Sequence, residues 1–273
     1  MPFEIRKVYI DSAFKDELSN DNSKFTIALV PPITLPEGSK CSIADVAIPV
    51  TWYTVTANFN DKIYIRLDDG VGGITDKIIT ITAGNYSSAS FVAQLIVQIN
   101  AEFTSPAHTC IFNISTERIE LTFTLFSVQI YTDLELQSAL SPVWSGPAFT
   151  ASNLNSANEI LNNRISSTAS GVNTMISYFL TLNTIRNIYI SSTNMSSYDT
   201  YGPSGVERTI IKKSAVNTTY GNTIFDNSYN NNDRVNVSSL TLSHLNFELR
   251  DGNGRYINFN GGNVSFSVIF EEE

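Results

Sequence analysis

Histidine is almost missing from this 273-residue chain, which holds only His108 and His244. Serine and cysteine nucleophiles of the triad type need a histidine base, so any such site must use one of these two. No serine sits in a Gly-x-Ser-x-Gly elbow. His108 follows Pro106 in a turn and His244 adjoins a strand, so both are read as surface or hydrogen-bonded side chains. Cysteine is as scarce, with Cys41 and Cys110 alone. No Cys-x-x-Cys or His-x-His spacing exists for a thiolate or imidazole metal site. Each cysteine lies in an apolar, strand-like run and reads as a reduced, packed thiol; two positions alone do not decide a disulfide. No cofactor is expected.

Basic residues are also short in supply. Seventeen Lys and Arg stand against 26 Asp and Glu, for a net charge of −9 and a pI near 4.7. A phosphate-neutralising face needs the opposite balance, so no direct nucleic-acid contact is expected. No apolar run approaches the roughly 18 residues that span a bilayer. Met1 to Lys7 lacks the apolar centre of a secretory signal, so synthesis without a secretory route is expected. The Asn-x-Ser/Thr matches at Asn85, Asn113, Asn194, Asn217, Asn236 and Asn263 then carry no glycosylation meaning.

Other chemistries find thin support. Asp68-Asp69 before Gly70 suits a calcium loop, but the same residues are ordinary turn formers. Glu117 and Glu120, three apart, do not share a strand face, whereas glycoside cleavage needs two carboxylates set across a cleft. Gly72-Gly73 and Gly261-Gly262 lack the phosphate-loop pattern. The chain reads as non-enzymatic.

What is abundant is Phe, Tyr, Asn, Ser and Thr, a mix suited to strands with polar outer faces and to loops. Alternation at period two dominates. Phe25, Ile27 and Leu29 share a face; Cys41, Ile43 and Asp45 alternate with Ser42, Ala44 and Val46; Ile63 and Ile65 flank Tyr64. Further strands are expected at Ile78–Thr82, Thr109–Ser115, Arg118–Leu125, Val128–Tyr131, Tyr178–Leu182, Asn187–Ser191, Arg208–Lys212 and Val235–Leu242. A hairpin should run from Leu245–Leu249 through Asp251-Gly252-Asn253-Gly254 to Tyr256–Phe259. In the last strand Val264, Phe266, Val268 and Phe270 should face the core, and Glu271-Glu272-Glu273 should stay in water.

One helix is expected after the Gly84-Asn85-Tyr86-Ser87-Ser88 turn, with serine at the cap. Phe91, Leu95, Ile99 and Phe103 give it one apolar stripe. Short helices are expected at Asp133–Leu140 and Asn155–Asn162. Polar segments near 141–171 and 217–233 read as long surface loops. The result is one all-β domain over 1–273: a single jelly-roll β-sandwich fits, with long loops and a short amphipathic helix, although periodicity does not separate it from other sandwiches.

Arg208, Lys212 and Lys213 form a compact basic patch. It reads either as a solvated strand edge that resists unwanted pairing or as a contact for an acidic neighbour, such as Glu271, Glu272 and Glu273 of another copy.

The block Leu35 to Val55 joins a turn, a strand and a Pro49/Trp52/Tyr53 corner. With it stand Tyr9-Ile10-Asp11-Ser12, Phe25 to Leu29, Asn60 with Ile63-Tyr64-Ile65, and Gly84-Asn85-Tyr86-Ser87. Later come Ile188 to Ser192, Gly202-Pro203-Ser204-Gly205, Ile210 to Lys213, Tyr220-Gly221 and Gly261 to Ser267. In this order they resemble the penton (minor capsid) proteins of virophages and Polinton-like viruses. Ala13 stands where that family often has Arg, and the 141–171 segment does not match. The resemblance implies a jelly-roll protomer that forms a homopentamer at the fivefold vertices of an icosahedral double-stranded DNA capsid. It would lie beside a double jelly-roll major capsid protein and other minor capsid proteins, in the virion. The alternatives are a glycan- or receptor-binding jelly roll using Trp144, Tyr198 and Tyr201, and a β-sandwich hydrolase. Trp52 and Tyr53 are expected to pack under the first long loop, held by the Pro49 corner.

Overall fold

The computed structural model describes residues 5–17, 19, 21–103, 108–137, 155–162, 173–195, 201–203, 209–228 and 234–272. In chain order the strands are β1 (Arg6–Asp11), β2 (Lys24–Thr34), β3 (Ser39–Pro49), β4 (Lys62–Asp68), β5 (Ile74–Thr80), β6 (His108–Asn113), β7 (Arg118–Phe123) and β8 (Ser127–Ile130). They continue as β9 (Thr174–Ile176), β10 (Asn187–Ser191), β11 (Ile210–Ala215), β12 (Thr223–Asp226), β13 (Val235–Asn236), β14 (Thr241–Arg250) and β15 (Ser265–Glu272). Helices are α1 (Ser88–Glu102), α2 (Asp133–Gln137) and α3 (Asn158–Leu161). The sequence reads as one domain; the structure instead divides into two compact units, 1–52 with 185–273, and 53–184. Each has its own buried core.

The first unit is a jelly roll. One sheet runs β1-β15-β3-β12, with β13 also on β3, and the other runs β11-β10-β14-β2. Leaving out the short β13, the chain's first strand in this unit pairs with its last, the second with the next to last, the third with β12, and β10 with β11. That nesting of antiparallel pairs is a folded-over hairpin, which is how a jelly roll is wound. The third and fourth strands, β3 and β10, are joined through the whole second unit.

Apolar residues at alternate positions hold the two sheets face to face. Val264, Phe266, Val268 and Phe270 are all buried, as their spacing predicts. Phe247 of β14 meets Phe266 of β15 edge-on, centroids 4.8 Å apart, and Phe25 of β2 lies 5.7 Å from Phe247. These rings span the sandwich, and aromatic pairs in this geometry contribute about 0.5–1.5 kcal/mol beyond burial.

Strand β3 departs from strict alternation. Cys41 and Ile43 face the core, but so do Val46 and Ile48, whereas Asp45 is exposed. The pairing with β15 explains it: Ser265 opposes Ala47 and Ser267 opposes Ala44. One extra residue on β3 makes a bulge, with Asp45 in the left-handed region at φ 52°. Asp45 accepts a hydrogen bond from Ser267 Oγ at 3.1 Å and pairs with Lys7.

The second unit holds sheets β5-β4-β8 and β6-β7-β9 around α1. Phe91, Leu95 and Ile99 of α1 are buried, as the stripe predicts, and Phe103 just beyond the helix is buried too. Ser87 caps the helix in a reciprocal box with Ser90. Strand β4 is buried on both faces. Ile63, Ile65 and Leu67 enter the main core, while Tyr64 joins Tyr131 and Leu136 on the other side. There Arg66 grips Asp76, directly opposite on β5, through Nε at 2.8 Å and Nη2 at 2.6 Å.

Several expected elements differ. Residues 178–182 form no strand: Leu180 donates its amide to Glu117 O at 2.8 Å and its side chain enters the core. Residues 256–259 make only a bridge, Arg250 to Tyr256. The 217–233 segment is not all loop, because β12 pairs with β3 and buries Ile224. In the 141–171 segment, α3 buries Ile160 and Leu161; the rest, apart from 155–162, lies outside the described residues. The strands remain the bulk of the structure and the fold is all-β.

Both cysteines are free and buried, and burial pushes each thiol up to about 12. At neutral pH they are expected to resist a thiol reagent in the native protein and to react only on unfolding, read as label incorporated against denaturant. Trp52 is 6% exposed and meets Phe259 edge-on at 6.1 Å. Trp52→Ala is expected to cost about 3–5 kcal/mol, measured by chemical denaturation; a loss near zero would remove Trp52 from the core.

Candidate assembly interface

The corner singled out in the sequence is built by β3 running out at Pro49. Val50 takes up the edge, donating its amide to Asn222 O at 2.8 Å and accepting from Gly221 N at 2.8 Å. Thr51 Oγ1 donates to Phe259 O, and Asn260 Nδ2 donates to Thr51 O at 2.6 Å. The glycine step at 262 is steric: a Cβ there would lie 2.9 Å from Thr51 Oγ1 and 3.0 Å from Pro49 Cγ. Trp52 is therefore a core residue. Tyr53, expected beside it in the interior, is instead 37% exposed.

Gly84, Asn85 and Tyr86 form a second local motif. Gly84 and Val55 exchange both backbone bonds, at 2.9 and 3.0 Å. Asn85 Oδ1 accepts from Thr54 Oγ1 at 2.9 Å, and the Tyr86 hydroxyl donates to Thr82 O at 2.6 Å. Tyr86 then meets Phe91 edge-on at 6.0 Å, which fixes the start of α1. These residues position structure.

The basic patch is not assembled as read. Arg208 lies outside the described residues. Lys212 is buried, hydrogen-bonded to Ser228 and 3.8 Å from Asp226. Strand parity is the reason: on β11 Lys212 points inward and Lys213 outward. For Asp226, burial opposes ionisation, but two bonds from Ser228 and the Lys212 charge outweigh it and hold the carboxyl below its ordinary value. At the other end Glu271 does not hang free in water. It extends β15 opposite Lys40 and pairs with Arg234 at 2.7 Å. Glu272 is exposed and Glu273 lies outside the described residues.

The two open sides of the sandwich differ. On one side the edge strands are β11 and β12, bridged by buried Lys212, which reaches half-buried Asp226 and exposed Ser228. Phe225 projects from β12 there at 70% exposure. On the other side the edges are β1 and β2, with Tyr9 and Phe14 left 76% and 81% exposed. Edge β2 resists strand addition: Asp16 N donates to Thr26 O at 2.8 Å, and Pro31 and Pro32 interrupt the ladder where its register to β14 slips. Phe225 and Phe14 are not among the residues expected at a contact; for Phe225 the signal is its place out of phase with buried Ile224.

A cleft of about 530 Å³ beside β2 and β14 is lined by Asp16, Asp21, Lys24, Asn246, Glu248 and Tyr256 together with Phe25 and Phe247. Its groups are turned on each other. Glu248 accepts from Arg250 Nη2 at 2.9 Å and from the Tyr256 hydroxyl at 2.8 Å, while the Arg250 guanidinium stacks 3.7 Å from the Tyr256 centroid. Thr26 Oγ1 donates to Asn246 at 3.0 Å.

His244 is exposed, its Nδ1 3.1 Å from Ser243 Oγ, and His108 stacks beside Phe123. Asp69 spends Oδ1 on the amides of Val71 and Gly73, at 2.9 and 2.8 Å, and those bonds hold its carboxyl low. Among the described residues no cluster of three His, Cys, Asp or Glu could hold a metal. Glu120 accepts from Asn113 at 3.3 Å. Of the exposed aromatics named for sugar stacking, Tyr201 is exposed; Trp144 and Tyr198 lie outside the described residues.

No family model and no curated protein matches the chain. Among solved structures stands the crystal structure of the selenomethionine-labelled mavirus penton protein. The chain is similar in fold to that penton protein. The superposition has a TM-score of 0.56 at 10% identity, and covers 99% of this chain and 100% of the other. The likeness spans both compact units.

Burial pushes the Glu248 carboxyl up, but the Tyr256 bond and Arg250 outweigh it and hold it below its ordinary 4.5. A carboxyl lowered by folding stabilises fully above its unfolded value and loses that contribution as pH falls through the folded one. The denaturation midpoint is therefore expected to drop as pH falls below 4.5. Glu248→Gln should be less stable at pH 7 and should show a shallower acid drop; an unchanged acid slope would remove Glu248 from the balance.

Proposed function

We propose that this chain is a penton, a minor capsid protein occupying the fivefold vertices of an icosahedral double-stranded DNA virus capsid as a homopentamer. It lies beside a double jelly-roll major capsid protein, and other minor capsid proteins are its further neighbours. The observation that carries this is the end-to-end structural likeness to a penton protein, 99% of one chain on 100% of the other. The nested jelly roll and the two unlike open sides support it, since a ring of copies needs two different patches on each protomer.

Other features agree with a structural role in the virion. The net charge of −9 disfavours direct contact with nucleic acid. Among the described residues no helix is long and apolar enough to cross a membrane. The second unit, inserted between β3 and β10, is the part free to vary without disturbing the jelly-roll winding. A glycan- or receptor-binding role would draw on the cleft around Tyr256, but there Glu248, Arg250, Asn246 and Thr26 are engaged with one another. The likeness to a capsid protein supports reading the chain as non-enzymatic, and among the described residues no acid–base set is assembled.

The test is native mass spectrometry of the purified chain, followed by co-expression with a double jelly-roll major capsid protein. A five-chain species, or incorporation at particle vertices, is expected. A monomer at every concentration that also fails to enter particles would overturn the proposal.

A further inference from the structure

At the end of strand β12 the chain forms a small socket of oxygens. Asp226 Oδ1 accepts the amide of Ser228 at 2.9 Å and also the Ser228 hydroxyl, so the turn Asp226-Asn227-Ser228 holds its own shape. The socket receives Lys212 of β11. The Lys212 ammonium donates to Ser228 O and, at 3.1 Å, to Ser228 Oγ, and lies 3.8 Å from Asp226 Oδ1. Its three donors thus face three oxygens. The Lys212 side chain is 2% exposed, whereas Asp226 is half-buried and Ser228 is exposed.

Little else fastens β12. Only Ile224 among its residues is buried, and Phe225 is 70% exposed. Its ladder is confined to the Val46–Pro49 edge of β3. Strands β11 and β12 belong to different sheets. Ile211 and Ile224 join the common core, but the other buried residues of β11, Lys212 and Ser214, are polar. The end of β12 is gripped by one ammonium.

We propose that β12 is a latch. The Asp226–Ser228 turn docks on Lys212 and keeps β12 on β3; when the turn leaves Lys212, the Val46–Pro49 edge of β3 is bared and accepts an extended peptide.

Three features carry this. The socket is held by bonds within its own turn, so it survives undocking and is ready to dock again. Release differs at the two ends: Asp226 and Ser228 already touch water and are hydrated on leaving, but Lys212 is left as a buried charge without these partners, which is costly. Lys212 then follows outward, so β11 and β12 loosen together although they lie in different sheets. Finally, the strand that leaves is an edge strand, and it uncovers a row of backbone donors and acceptors, the groups by which an extended peptide adds to a sheet. The occupant of that edge is on view: it is β12 itself, with Ile224 in the core. A peptide of the same alternation, one apolar side chain inward and the next outward, is the ligand the edge fits. The latch lies within the jelly-roll unit and does not depend on the vertex reading.

The test is hydrogen exchange on the full chain, read by mass spectrometry. Lys212→Met removes the charge and keeps an apolar stem. Exchange at 210–215 and 221–226 is expected to rise together by roughly tenfold or more, the change for losing one charge-assisted hydrogen bond, while β2 and β14 exchange as in the wild type. Lys213→Met, at the exposed neighbouring position, should match the wild type. A fluorescent peptide with the sequence of residues 221–228 should bind Lys212→Met and not the wild type, read by anisotropy. Unchanged exchange in folded Lys212→Met, a rise confined to one of the two strands, or no bound peptide would overturn the proposal. If Lys212→Met fails to fold, Ser228→Ala at the exposed turn decides: faster exchange at both strands supports the latch, and wild-type exchange overturns it.

Discussion

The jelly-roll unit depends on keeping one long strand, β3, facing the core along its whole length. β3 is paired along both edges, with β15 on one side and β12 and β13 on the other. A strand that twists through eleven residues drifts out of phase with a flat partner. The extra residue at Asp45 resets the phase, so that Cys41 and Ile43 before it and Val46 and Ile48 after it all point inward. The backbone cost of a left-handed aspartate is offset by its bonds to Ser267 and Lys7. Without the reset, Asp45 and Ala47 would enter the core where Val46 and Ile48 now lie, a slip that inverts every later side chain.

From that strand the rest of the unit follows. β15 is held between β1 and β3, and its Phe266 reaches across the sandwich to Phe247. The Pro49–Trp52 corner stops β3 and closes one end of the core through Phe259. The second unit solves a different problem. Its strand β4 is buried on both faces, so polar residues on the second face must pair inside. Arg66 and Asp76 do so in register, with two hydrogen bonds that a lysine could not supply. Removing one partner would strand a buried charge, which is why the pair acts as a fastening for β4 and β5 rather than as surface decoration.

The same strand parity separates structure from surface at the sandwich edges. Lys212 and Lys213 are adjacent in sequence and identical in chemistry, yet one is sealed against Asp226 and the other meets solvent. Ile224 and Phe225 divide the same way. A basic cluster counted along the sequence is therefore not a basic patch in space. The same rule leaves Phe225 and Lys213 in water while their sequence neighbours Ile224 and Lys212 are buried.

Much of the architecture was legible in the amino-acid order. Period-two alternation marks β2, β4, β7, β10 and β15, and the serine cap with a four-residue apolar stripe marks α1, because these signals are local and each residue reports its own side. The all-β class follows from them. What the order could not carry was anything set by partners distant in the chain. The bulge at Asp45 is visible only against β15. The strand within 217–233 exists only because β3 offers it an edge. Residues 178–182 alternate like a strand but find no ladder, so they remain irregular. The division into two units, and the gathering of Tyr9, Phe14 and Ile27 at one edge and Phe225 at the other, are products of the winding. The sequence by itself determined which residues are apolar, where the chain turns, and that no histidine–nucleophile or metal spacing recurs. Tertiary structure alone decided which of those residues meet, because pairing between strands up to the length of the chain apart is a property of the closed sandwich and not of any segment.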